Sequence, residues 1–349
     1  MTHRNLISIL IASGILLPIS PTPALSAPLS GIAATVNPTT KKKKKSKRGK
    51  TRKSKEKKAE KSIKSLANKI FNPTDELKEQ AKAYLESTKN RGIIIAMQED
   101  DDKAVYSYLI TNPGDRQFDF ECACHYGKEK YARLLLEAPD IDINNLSSSF
   151  DEYKIKRTPL GKAVENGHLN VVQLLLAAPG IDVNKADIDG RTPLHNASTN
   201  SPETVKLLLT APEIDVNKAE NHHSRAPLHF AVALNEGDPE NVKLLLAAPG
   251  IDVNKADKFG QTPLHWAVTN TPENVKLLLA APGIDVNKAD NNGRTPLHCA
   301  KNAECIKLLL ATPGINLNIA DKDGKTPLQR AKEEEETEIV QLLEAAGAK

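Results

Sequence analysis

The nonapeptide PGIDVNKAD stands at residues 179–187 and returns unchanged at 249–257 and 282–290. Looser copies read PEIDVNKAE at 212–220, PGINLNIAD at 313–321 and PDIDINNLS at 139–147. A second phrase keeps step with it. Thr-Pro-Leu begins at Thr158, Thr192, Thr262, Thr295 and Thr326, and Ala226 opens an Ala-Pro-Leu version, at successive spacings of 34, 34, 36, 33 and 31. A period in the low thirties denotes an array of small supersecondary units. No unit of this size can bury its own apolar stripe, so stacking is obligatory and the fold is quasi-one-dimensional.

The order within a unit has a physical reason. Asp257-Lys258-Phe259-Gly260 is a turn in which Asp caps its own backbone and Gly takes a positive φ. Thr262 then serves as the N-cap of a short helix with Pro263 at its first position, where a missing N–H costs nothing. A second helix is predicted to start at Thr271-Pro272-Glu273, with the hydroxyl as cap and the acid at the positive end of the dipole; Ser201-Pro202-Glu203 and Asp238-Pro239-Glu240 repeat the device. Val275, Leu278 and Leu279 form its apolar stripe. Pro282 ends the helix, and Gly283 releases the chain into an extended Ile-Asp-Val-Asn arm. Aromatic residues make up only 4% of the chain, so the core must come from Leu, Val, Ile and Ala.

On these residues the chain resembles the ankyrin-repeat family: Asp-x-x-Gly-x-Thr-Pro-Leu-His, Asn166-Gly167-His168, the Leu triplets and the Asp-Val-Asn arm. The resemblance implies an all-α solenoid of stacked helix pairs with β-hairpin fingers projecting from one side. It also implies a non-enzymatic protein–protein interaction scaffold whose partner surface lies on the finger tips and neighbouring first-helix ends. Six repeats are clear. Two are worn, at 92–114 and 118–144, and the last carries Glu333 to Glu336, a polar ending that suits a cap.

The segment ahead of the array reads differently. Arg4, the apolar run Leu6 to Leu17 and Ala24-Leu25-Ser26 predict a secretory signal peptide over 1–26, cleaved to leave Ala27 first. Residues 41–64 hold fifteen Lys/Arg and two Glu, net +13, which leaves −9 on the rest of a chain whose total is +4. Its composition predicts a disordered basic linker over 27–66. An N-terminal capping helix is expected within 67–91 and the array over 92–349. The basic run, with Lys41, Lys42, Lys43, Lys44, Lys45, Lys47 and Arg48 at its head, suits an anionic membrane or envelope surface. Nucleic acid is disfavoured, because no aromatic residue is interleaved for base stacking. The expected location is exported, periplasmic or secreted. The rival is a secreted effector that uses the Lys cluster for nuclear import or nucleic-acid contact, with a cytoplasmic or host-nuclear location.

Chemistry is weakly written. Gly324-Lys325-Thr326 and Gly49-Lys50-Thr51 lack the first Gly of a phosphate loop, since Ile319 and Lys44 hold its place. His195, His229, His265 and His298 each follow a Pro-Leu pair and read as structural, hydrogen-bonded near their own helix starts. No catalytic, metal or cofactor constellation is expected, and the chain is expected to be a monomer. The partner-binding expectation falls on His222, His223, Arg225, Leu234, Lys258, Phe259, Gln261, Thr269, Asn270, Asn291, Asn292 and Arg294. Phe259, flanked by Lys258, is the expected anchor. Phe230 and Trp266, one place after the His, read as core. The finger at Asn145 to Arg157 is longer than the others and carries Phe150 and Tyr153.

Overall fold

The structure is a computed structural model that describes residues 42–87, 92–148, 156–233, 238–269 and 271–349. Phe150, Tyr153, Leu234, Asn270, Lys41 and the signal-peptide residues lie outside the described residues. Two compact units emerge, one running through Phe120 and taking in Lys130–Ile141, the other made of Glu121–Glu129 and Asp142–Lys349.

The first unit contains helices α1 (Lys42–Phe71), α2 (Asp75–Ser87), α3 (Ile93–Gln98), α4 (Asp102–Thr111), the start of α5 (Arg116–His125) and most of α6 (Glu129–Leu135). Where composition predicts a disordered linker, the basic segment is helical from Lys42. Lys and Glu are good helix formers, and the far end of the same helix buries Ala67 and Ile70 against α4. The expected boundary between 91 and 92 is likewise not where the units divide, because α2 and α3 both pack on α4. Asp101 caps α4, accepting from the Ala104 N–H at 3.1 Å.

The second unit is the regular part. Its first helices are α7 (Pro159–Glu165), α9 (Pro193–Ser198), α11 (Pro227–Ala233), α13 (Pro263–Ala267), α15 (Pro296–Cys299) and α17 (Pro327–Glu333). Its second helices are α8 (Leu169–Leu176), α10 (Pro202–Leu208), α12 (Pro239–Leu246), α14 (Pro272–Leu279), α16 (Ala303–Leu310) and α18 (Thr337–Ala345). Each set stacks on itself from repeat to repeat. The repeated Leu of Pro-Leu faces the core at every level: Leu160, Leu194, Leu228, Leu264, Leu297 and Leu328 are all buried. So is the Val/Leu stripe of the second helices, including Val205, Leu208, Val275 and Leu278.

The verbatim repetition of the opening phrase follows from what its Asn does. Asn217 donates through Nδ2 to the Gly250 carbonyl at 2.7 Å and accepts through Oδ1 from the Asp252 N–H at 2.9 Å. Asn184, Asn254 and Asn287 do the same to the next copy along. Each phrase is therefore the template for its neighbour's backbone, including the left-handed Gly, with φ 76° at Gly250.

The histidines act as capping and stacking groups. The Thr262 N–H, a donor only, gives its hydrogen to His265 Nδ1 at 3.0 Å, so the ring proton sits on Nε2 and is donated to the Arg294 carbonyl of the next repeat at 3.0 Å. His195 and His298 repeat this with Arg225 and Lys325, and His229 with Gln261. Both ring nitrogens are spent on backbone groups. Burial lowers the pKa of all four, taking His195 to about 4. The second helices depart from expectation. Asp238 caps α12 through the Glu240 N–H, but Thr271 turns its hydroxyl back to the Ala267 carbonyl and Ser201 donates to Glu203. There Pro at the first position removes one of the donors a cap would satisfy.

Candidate partner-binding face

The fingers are tight turns built around one acidic residue. Asp257 Oδ1 accepts from the N–H groups of Phe259 and Gln261, and one backbone pair, Asp257 N–H to the Gln261 carbonyl at 2.9 Å, closes the turn. Asp187, Asp290 and Asp321 are used alike. The turns are too short to register as strands. Among the described residues the strand pair is β1 (Ser147–Ser148) with β2 (Lys156–Arg157), antiparallel, at the base of the long finger. At Glu220 burial works against the charge, but N–H donors from His222, Arg225 and His223 hold the carboxyl below its ordinary range.

Adjacent tips are tied to one another. Asn221 donates to the Asp189 carbonyl, Lys258 to that of His223, Asn291 to that of Phe259 and Lys322 to that of Asn292, at 2.7–3.0 Å. The result is a row of turns with fixed backbones and varied side chains. Gly260 shows how tight the row is. Its φ is +80°, and a Cβ there would lie 2.6 Å from the Asn291 nitrogen. Ser224 occupies the same place one finger earlier at φ 57°, an uncommon conformation for a residue with a side chain.

The expected site residues fall along this row. His222, Lys258, Phe259, Asn291 and Asn292 are exposed at tips, Thr269 is exposed at the end of α13, and His223, Arg225, Gln261 and Arg294 are half-buried. Phe259 is 45% exposed and Ile188, at an earlier tip, 54%. The Phe259 ring lies 5.9 Å from that of His223, with the Lys258 ammonium 5.2 Å from its centroid. His222 meets Asp189 at 3.2 Å.

Phe230 and Trp266 correct the expectation that they are core. Both are half-buried, and each carries an arginine from the preceding repeat: Arg191 over Phe230 at 5.2 Å and Arg225 over Trp266 at 4.1 Å. His195 meets Phe230 edge-on at 5.2 Å. In both cases an Arg immediately before (Thr/Ala)-Pro-Leu faces the aromatic that follows the His of the next repeat. A second arrangement was not anticipated. Glu121 holds the His position of a worn repeat and makes a buried ion pair with Lys162 at 3.1 Å. Asn145 and Ser147, from the long finger, donate to the same carboxylate.

A family model described as ankyrin repeats in three copies matches residues 93–187, 120–220, 228–321 and 272–349. The ankyrin repeat domain of Bcl-3, described as a unique member of the IκB protein family, matches with TM-score 0.54 and 27% identity over 64% of this chain and 97% of that one. An ankyrin repeat protein, EF0377, matches with TM-score 0.48 and 27% identity over 54% of this chain and 97% of that one. A Plasmodium falciparum (isolate 3D7) protein, provisionally named an E3 ubiquitin-protein ligase, is 33% identical over 82 residues, 24% of this chain and 1% of that protein. This chain therefore spans about a hundredth of that relative's length. With the family model covering well over half of the chain, on the residues that form the helix pairs and the finger row, the chain belongs to the ankyrin-repeat family.

Proposed function

We propose that this chain is an exported, non-enzymatic scaffold that binds another protein through its finger tips. The observation that carries this reading is Phe259: a large apolar side chain, 45% exposed, on a turn whose backbone is pinned on both sides. A rigid apolar anchor among polar neighbours is the arrangement in which binding energy concentrates. Ankyrin repeats generally mediate protein–protein interaction, which supports the class of partner. The test uses a partner recovered by capture on the full chain. Phe259→Ala should weaken its binding about tenfold or more while leaving the melting curve almost unmoved, because the side chain supports no core. Leu278→Ala is the control. It should lower stability by about 2–5 kcal/mol through a core cavity. Equal affinity of parent and Phe259→Ala would place recognition elsewhere.

Export is supported by Arg4, the apolar run at Leu6 to Leu17 and Ala24-Leu25-Ser26. Fifteen cations in residues 41–64 support a role at an anionic surface. Replacing Lys41, Lys42, Lys43, Lys44, Lys45, Lys47 and Arg48 by Gln in the full chain should weaken binding to anionic vesicles, and the parent's binding should fall steeply with salt. Vesicle binding that ignores both changes would remove the tail from the account.

A further inference from the structure

Behind the tips runs a second row, formed by the residue just ahead of each Thr-Pro-Leu or Ala-Pro-Leu phrase. It reads Arg157, Arg191, Arg225, Gln261, Arg294 and Lys325. The two ends of the row are neutralised within the fold: Arg157 pairs with Glu165 at 3.0 Å and Lys325 with Glu333 at 2.6 Å. The middle is less so: Arg225 has only a long ion pair, Nε to Asp257 Oδ2 at 4.0 Å, and Arg191 and Arg294 have no carboxylate within 4 Å among the described residues.

The acids beneath the row do not compensate in the ordinary way. Asp187 Oδ1 accepts from the N–H groups of Asp189 and Arg191, Asp257 Oδ1 from those of Phe259 and Gln261, and Asp290 Oδ1 from those of Asn292 and Arg294. One oxygen of each carboxylate holds its own turn, while the Oδ2 of Asp187 and of Asp257 is buried without a hydrogen-bond partner, that of Asp257 lying 4.0 Å from Arg225 Nε.

Two donors on the row and one beside it also lack acceptors. The side-chain Nε of Arg225, the Nε of Arg294 and the indole Nε1 of Trp266 are screened from solvent and find no hydrogen-bond partner. Being screened, these atoms are out of a docked ligand's reach, which leaves the outer nitrogens of the guanidinium groups to meet it. Two of the guanidinium groups are held against rings, Arg191 on Phe230 and Arg225 on Trp266. Stacking occupies the face of a guanidinium and leaves its in-plane N–H fork, which matches a carboxylate in bidentate geometry.

Resting on the protein-binding reading above, we infer that the row Arg191–Arg225–Arg294 takes an extended acidic segment of the partner. The occupant must bring negative charge, acceptors and an elongated form. Stacked helices lie about 8–10 Å apart, and an extended chain advances about 3.3 Å per residue, so one acid in every third residue keeps step with the repeats. Gln261 interrupts the cations, so the matching residue of the ligand is uncharged. The predicted pattern is acid at the first, fourth and tenth positions with an uncharged residue at the seventh, or its reverse. Nucleic acid fits less well, because the chain outside residues 41–64 carries a net charge of −9 and would repel a long polyanion.

The test is selection from a displayed library of random peptides, about twelve residues long to span the row, on the immobilised full chain. The expected winners carry the acid pattern. A synthetic winner should bind at least fivefold more weakly to Arg225→Ala and to Arg294→Ala, and its affinity should fall with salt. Arg225→Lys, which keeps the charge and loses the fork, should weaken it by a similar factor. All three variants should still unfold in a single cooperative transition, with at most a few degrees lost, so that the loss of affinity is read on folded protein. Winners without acids, acidic winners indifferent to the arginines, or no winner at all would overturn the inference. So would an oligo-dT strand that outcompetes the peptide through the same arginines. Winners that depend on Phe259 and not on the arginines would overturn this inference and leave the tip reading standing.

Discussion

At the scale of single residues, the four histidines show how a polar group becomes part of a core. His195 is almost wholly buried, accepts from Thr192 and donates to the next repeat. Burial holds its pKa near 4, so it stays neutral where the unfolded chain's His takes up a proton. As pH falls from about 6.5 towards about 4 the unfolded state binds more protons, and stability is lost across that window. The last repeat contains a natural control, because Gln329 Oε1 accepts from the Thr326 N–H at 2.9 Å and cannot titrate. His195→Gln should therefore cost about 1 kcal/mol at neutral pH and then lose less on acidification, so that the melting temperatures of variant and parent converge as pH falls. Parallel curves would show that His195 does not carry acid sensitivity. These histidines were legible in the sequence as structural, from their place after Pro-Leu. The arginine stacks were not, because the contact joins residues some 40 positions apart, Arg191 with Phe230 (230 − 191 = 39) and Arg225 with Trp266 (266 − 225 = 41).

At the scale of elements, the sequence announced nearly every helix of the regular unit, and the reason is that Pro, Gly and Asn fix backbone geometry locally. Pro begins α7, α9, α11, α13, α15 and α17, and a Gly with positive φ follows α8, α12, α14 and α16. Where those residues are missing, legibility failed. In the worn repeat Glu121 replaces the staple His, and nothing in local pattern says that its partner is Lys162 in the next repeat or that the long finger supplies Asn145 and Ser147. This buried pair makes an element-level prediction. Lys162→Met removes the ammonium from a buried carboxylate and should cost about 3–5 kcal/mol. Adding Glu121→Met should recover most of the loss, because two apolar side chains replace two desolvated charges. Urea unfolding of the single and double variants checks this. A double variant no more stable than Lys162→Met alone would mean that the pair's worth is not electrostatic.

At the scale of the molecule, the second unit repeats one solution: a helix pair, an Asn that templates the next copy, and a turn pinned to its neighbours. Such an array sums nearest-neighbour interactions, so its surface is free to vary while its framework is not. The tips vary from Ile188-Asp189 to His222-His223, Lys258-Phe259 and Asn291-Asn292 along a constant backbone row. Composition predicts a linker for the basic segment ahead of the array, because it reports solubility and charge but not whether one end of a helix finds an apolar seat, as Ala67 and Ile70 do. Amide hydrogen exchange of the full chain, with and without a captured partner, decides whether recognition uses the tips and the first-helix side of the stack. New protection is expected at residues 188–191, 222–225, 258–261 and 291–294. Protection confined to the second helices α10, α12 and α14 would put recognition on the opposite side.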